Sequence, residues 1–132
     1  TMVPAPGATA TGIGSGMANT NAIRAQTGNV AATSAAVYAY DYINGGKTDW
    51  HLPSRDELKE LCKYARQQTT GNTSVACASS GTLRTGFVNN VDYWSSSDLT
   101  GENAWNQYFG GGFAYGGAHK GNALPVRPVR AF

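Results

Sequence analysis

Charge is scarce in this chain. Asp, Glu, Lys and Arg together make up 14% of its 132 residues and nearly cancel, at a formal +2. Lys and Arg nowhere form the dense stripe that phosphate binding wants, so nucleic acid is not expected as a partner. Histidine occurs twice, as His51 and His119, and the motifs HExxH and CxxC and a facing acidic cluster are all missing. No metal, no cofactor and no catalytic residue is therefore expected. No apolar run approaches the roughly 18 residues that a membrane helix needs, so no membrane insertion is expected. The opening Thr1-Met2-Val3-Pro4-Ala5-Pro6-Gly7 lacks the charged n-region and apolar h-region of a signal peptide. It reads as the trimmed start of a fragment, with residues 1–18 as an extended lead from a larger fibre or surface protein.

What is present is apolar and flexible in composition. Hydrophobic residues reach 41% and there are 17 glycines. That is too apolar for a disordered chain and long enough for one domain, spanning residues 1–132, with its own core. Low charge with abundant Gly and Ser suits a loop-rich protein working outside the cell, at a cell surface or on a virion. Cys62 and Cys77 are close enough to close a short loop. Either they form a bridge in an oxidising setting, or Cys62 is a buried free thiol on a helix and Cys77 is unrelated to it.

Helices are expected before strands. Thr11-Gly12-Ile13-Gly14-Ser15-Gly16 is glycine-rich, but Met17 stands where a dinucleotide fingerprint needs glycine, so a turn or backbone crossing is the reading. Residues 30–43 read as a helix with Ala36, Val37, Tyr40 and Ile43 on one side, stopped by Asn44-Gly45-Gly46. A second helix follows Pro53, where Ser54 and Glu57 form a capping box and Leu58, Leu61, Cys62 and Ala65 make the apolar face. Glu57 and Glu60 are better explained as cap and solvated face than as an acid–base pair. Residues 69–85 are polar and turn-rich, and Asn72-Thr73-Ser74 fits a glycosylation acceptor in a eukaryotic secretory pathway. Strands are expected at residues 91–97, 104–109, 112–115 and 126–130, the last at an edge or bent because Pro128 cannot donate to a ladder. The class is α+β, with two helices and a small, mainly antiparallel, loop-rich sheet.

Several of these blocks occur together in a known family. Trp50-His51-Leu52-Pro53-Ser54, followed by Glu57-Leu58, resembles a signature of bacterial and phage domains with a C-type lectin fold. Tyr93-Trp94-Ser95-Ser96-Ser97, Ala104-Trp105, Phe109 and Val126-Arg127-Pro128-Val129-Arg130 continue it in order. The pattern resembles the variable proteins of diversity-generating retroelements, related to Lcl C-terminal-like domains, over about residues 19–132. His51 departs from it, since the wider family usually has Arg or another residue there. The resemblance implies a constant scaffold with a hypervariable C-terminal region, residues 98–125. In such systems a reverse transcriptase misreads template adenines, so Asn codons of the AAC type become NNC codons, which never yield Trp, Met, Lys, Glu or Gln. Across residues 110–125 only Lys120 breaks that rule, and Lys120, Glu102, Trp105 and Gln107 would then be fixed positions.

Strand alternation points the same way. If Trp105 and Phe109 enter the core, then Asn106 and Tyr108 face outward. The expected contact residues are Leu99, Thr100, Asn106, Tyr108, Gly110, Phe113, Tyr115, Ala118, His119, Asn122 and Leu124. Tyr offers large contact area with few rotors to freeze, and loops on a rigid frame can change without unfolding it. Glycine supplies no side-chain area, so the anchors would be Tyr108, Phe113, Tyr115, His119 and Leu124. The expected partner is an unidentified protein or glycan.

Three other classes fit less well. Formylglycine-generating oxidases share the broad fold, but no reactive cysteine pair or histidine-rich ligand set is present. Calcium-dependent animal lectins use Pro-centred triplets and Trp-Asn-Asp, whereas Trp105-Asn106-Gln107 lacks the final acid. An adhesin module for glycosaminoglycans would need more basic surface than Lys120, Arg127 and Arg130 provide.

Overall fold

The computed structural model describes residues 7–26, 34–100, 102–112 and 115–131. Three helices come first, α1 (Gly16–Ala25), α2 (Ala35–Asp41) and α3 (Arg55–Ala65). Three strands follow, β1 (Asp92–Asp98), β2 (Asn103–Tyr108) and β3 (Tyr115–His119), in spatial order β1-β2-β3 with both pairings antiparallel. The fold is α+β, as the sequence indicated.

The α3 start follows directly from its sequence. The Ser54 hydroxyl accepts the Glu57 N–H at 3.3 Å, and Glu57 Oε1 accepts the Ser54 N–H at 2.9 Å. These two bonds satisfy donors that every helix start leaves open, and Asp56 and Glu57 place negative charge where the helix dipole favours it. Leu58, Cys62 and Ala65 then turn inward and are fully buried, with Leu61 packed at their edge. They meet Tyr93 and Phe109, whose rings lie edge to face at 4.7 Å.

The sheet is covered on both faces because successive strand residues point opposite ways. Tyr93 belongs to the α3 cluster, whereas Trp94 joins Ala39, Leu52 and Ala104 in a second core against α2. Cys62 and Cys77 form a disulfide that ties α3 to the polar excursion, settling the alternative left open by the sequence. One backbone bridge continues the tie from Cys77 to Gly112.

Four elements differ from expectation. The first helix of the sequence reading is preceded by an unforeseen one: α1 turns Gly16, Asn19 and Thr20 inward, a face with no apolar period. Its side-chain donors are bonded instead, the Asn19 amide to Ala10 O at 2.7 Å and the Thr20 hydroxyl to Gly16 O at 2.7 Å. The helix expected at residues 30–43 runs from Ala35 to Asp41, and its start at 30–33 lies outside the described residues. Its inner face is Ala36 and Ala39, while Tyr40 and Ile43 are exposed, because only small side chains fit against Trp94. The third strand begins at Tyr115, not Gly112. The segment at 126–130 forms no strand and touches His51 through a single bridge at Val129, beside the donor-less Pro128.

The lead segment is also bound into the body. Ala8 is fully buried, its carbonyl accepts the Asp98 N–H at 2.8 Å, and the Thr11 carbonyl accepts the Asp56 N–H at 2.9 Å.

Candidate ligand-binding face

The eleven expected contact residues do not form one patch. Asn106 faces inward at 5% exposure, where its amide donates to Asp92 Oδ1 at 3.0 Å. Its burial corrects the simple alternation: Asn106 pairs with Trp94 on the α2 side of the sheet, and the register shifts between Ala104 and Asn106 on the β3 side. Trp105 is only half-buried, its ring under the Arg55 guanidinium at 4.9 Å. Ala118 and Leu124 are partly buried against the Trp94 cluster and serve the core at least as much as a surface.

The rest divide between the two ends of β2. At its start, Leu99 and Thr100 are exposed in the β1–β2 turn, and Thr100 Oγ1 accepts the Asn103 N–H at 2.9 Å. Asn103 pairs with His119, so exposed His119 and Asn122 join this end. At the other end are Tyr108, whose hydroxyl donates to Asn90 Oδ1 at 2.5 Å, and half-buried Gly110. Six residues of strand put these ends roughly 16 Å apart. Tyr115 lies between them by its pairing with Asn106, and Phe113 lies outside the described residues.

The anchors beneath the face were not all legible. Gln107 is fully buried and its amide holds Tyr108 O at 2.9 Å and Gly112 O at 3.2 Å. Arg66, 4% exposed, donates to Phe109 O at 2.7 Å, to Ser79 O at 2.9 Å and to Asn89 Oδ1 at 2.7 Å. A buried guanidinium satisfied by carbonyls in this way fastens the excursion to the end of β2. Gly111 has φ of 100° and sits against the Ala78–Ser79 backbone, so a side chain there is excluded twice over. At the other end Lys120 reaches Asp98 Oδ2 at 2.9 Å, and its N–H donates to Glu102 O at 2.8 Å.

The C-terminal segment is pinned by a bidentate pair, Arg130 to Asp49 at 2.7 and 2.9 Å, and that hydrogen bond holds the Asp49 carboxyl below its ordinary range. Among the described residues no three His, Cys, Asp or Glu side chains gather where a metal would sit. No helix among the described residues is long and apolar enough to cross a membrane.

The exposed ones among the expected contact residues thus lie on turns and strand ends of a small α+β frame whose core clusters gather around Tyr93 and Trp94. The chain belongs to the Lcl C-terminal domain family, whose sequence profile matches residues 11–130. Membership points to a ligand-binding surface module. Nothing matches the chain among curated proteins or among solved structures.

Proposed function

We propose that this chain is a display domain: a constant frame of the C-type lectin kind that presents a diversifiable face, within residues 98–125, to a protein or glycan receptor outside a cell or on a virion. On this reading it is the variable protein of a diversity-generating retroelement, and its face binds rather than catalyses.

Lys120 carries the reading. It is the single residue of 110–125 that a diversified AAC codon cannot yield, and it anchors the loop to buried Asp98. Gln107, equally forbidden to diversified codons, is buried under Gly112. Permitted residues such as His119 and Asn122 stand exposed beside them. Lys120 and Gln107 thus belong to the frame, and His119 and Asn122 do not.

The test is the neighbouring DNA. A near-copy of the coding region for residues 94–130 is expected beside a reverse transcriptase gene, differing only at adenines. The differences should fall in the His119 and Asn122 codons and leave the Lys120 and Gln107 codons unchanged. A neighbourhood without such a copy removes the retroelement reading.

A further inference from the structure

The outward side of α2 carries a recess that the face around β2 and β3 does not use. Ala36 and Ala39 turn inward, at 1% and 0% exposure, which leaves Tyr38 and Asp41 directed to solvent. Tyr38, Asp41, Tyr42 and Ile43 line a concave space of about 330 Å³. That volume lies at the small end of ligand sites, which run from roughly 300 to 1,000 Å³.

The aromatic walls are held in place. Tyr38 and Tyr42 lie one helical turn apart, with centroids 6.5 Å apart and ring planes 33° apart. Tyr42 meets Trp50 edge to face at 5.1 Å, and the Trp50 indole donates to Lys47 O at 3.0 Å. The Tyr42 hydroxyl accepts the Asn44 amide at 2.8 Å. Asp41 is different, being exposed and without a hydrogen-bond or ion-pair partner among the described residues.

Charge around the recess selects the ligand. Lys47 is exposed in the turn that follows α2, whereas Arg130, 6.0 Å from Trp50, is already paired with Asp49. Lys47 disfavours a cationic ligand, and Asp41 an anionic one. An apolar peptide would strip water from the Asp41 carboxylate without replacing its hydrogen bonds. A neutral polyhydroxylated ring meets both surfaces: aromatic faces take its C–H side, and a carboxylate, which only accepts, takes its hydroxyl donors. We propose that this recess binds an uncharged hexopyranose unit of a glycan, with Tyr38 as the platform and Asp41 as the hydroxyl acceptor. The site is separate from the diversifiable face, because α2 sets Ala35 and Ala39 between the recess and Ala118 and Leu124.

Saturation-transfer NMR on the intact chain tests this, with methyl β-glucopyranoside and its 2-acetamido analogue as probes. Transfer to the sugar ring protons is expected at millimolar concentrations. Tyr38→Ala and Asp41→Asn, both at exposed positions, should each weaken binding at least about fivefold. Tyr38→Phe, which keeps the ring, and His119→Ala should leave binding unchanged. Absence of transfer from both sugars at about 20 mM overturns the proposal, as does equal transfer in Tyr38→Ala. A tetramethylammonium ion that perturbs the Tyr38 and Tyr42 resonances where the sugars do not overturns it in favour of a cation site.

Discussion

Glu57 caps its own helix and also accepts the Gly14 N–H at 2.7 Å, with the Gly16 N–H at 3.3 Å beside it. One carboxylate therefore serves the starts of two helices, α3 and α1. His51 Nε2 lies 3.6 Å from the same group. Burial acts to raise the Glu57 pKa, but the His51 bond and the Ser54, Gly14 and Gly16 amides outweigh it and hold it below the ordinary value.

A depressed carboxylate stabilises the fold above its unfolded pKa, about 4.3, and that contribution fades as pH falls through the lower folded value. Stability should thus decline on acidification below about pH 4.3, and Glu57→Gln should flatten that part of the curve. Urea unfolding at stepped pH from neutral to acid measures both slopes. Equal slopes in the two proteins would show that Glu57 is not the group responsible.

Gly16→Ala separates propensity from packing. Alanine is the better helix former by about 1 kcal/mol. Here an added methyl group would meet the Glu57 carboxylate, His51 Cδ2 at 2.8 Å and Leu52 O at 2.9 Å. Overpacking of that kind costs about 1–3 kcal/mol, so the variant should melt lower despite its helix propensity. A higher melting temperature would mean that the neighbours give way.

The same junction shows what sequence could and could not reveal. Ser54, Glu57 and the apolar row behind them announce α3 because capping and periodicity are both local signals. The start of α1 depends on Glu57, 43 and 41 residues away from Gly14 and Gly16. Its inner face of Gly, Asn and Thr carries no hydrophobic period, so it stayed hidden. On the sheet, Phe109 was readable as core, whereas Trp105, read the same way, is only half-buried. The burial of Asn106 was not readable, since it rests on Asp92 across the strand pair and on a register shift. Arg66 carried no local signal, because its partners Ser79, Asn89 and Phe109 lie 13, 23 and 43 residues away.

Arg66→Lys should behave nearly as badly as Arg66→Ala. An ammonium on a flexible stem cannot reach Phe109 O, Ser79 O and Asn89 Oδ1 together. Hydrogen bonds from a charged donor contribute about 1.5–3 kcal/mol each in net terms, so at least about 2 kcal/mol should be lost. Denaturant unfolding gives the size, and amide exchange around residues 79–81 gives the place. Full stability in the lysine variant would show that charge, not the fork of donors, is what matters.

Reduction of the Cys62–Cys77 bridge should cost about 3 kcal/mol, as expected for a loop of this length. The loss should also be felt across the bridge from Cys77 to Gly112, at the root of the β2–β3 connection. Thermal melts with and without reductant, paired with exchange at Gly112, test this against a Cys62→Ser/Cys77→Ser variant. Unchanged protection at Gly112 would detach the disulfide from the face.

The division between frame and face makes the sharpest demand on neighbouring residues 119 and 120. His119 is exposed, and its ring accepts only the Gly121 N–H, at 3.0 Å. Surface changes of that kind usually stay within about 0.5 kcal/mol, so His119→Ala and Asn122→Ala should melt with the parent chain. Lys120 faces the other way, to an aspartate that is 7% exposed. Removing Lys120 takes an ion-pair partner from this buried carboxylate, and breaking a fully buried pair costs up to about 3–5 kcal/mol. Lys120 is itself only partly buried, so a loss of about half that is the expected result. Melting curves of the three alanine variants decide it: a stable Lys120→Ala chain, or a destabilised His119→Ala chain, would erase the boundary on which a diversifiable face depends.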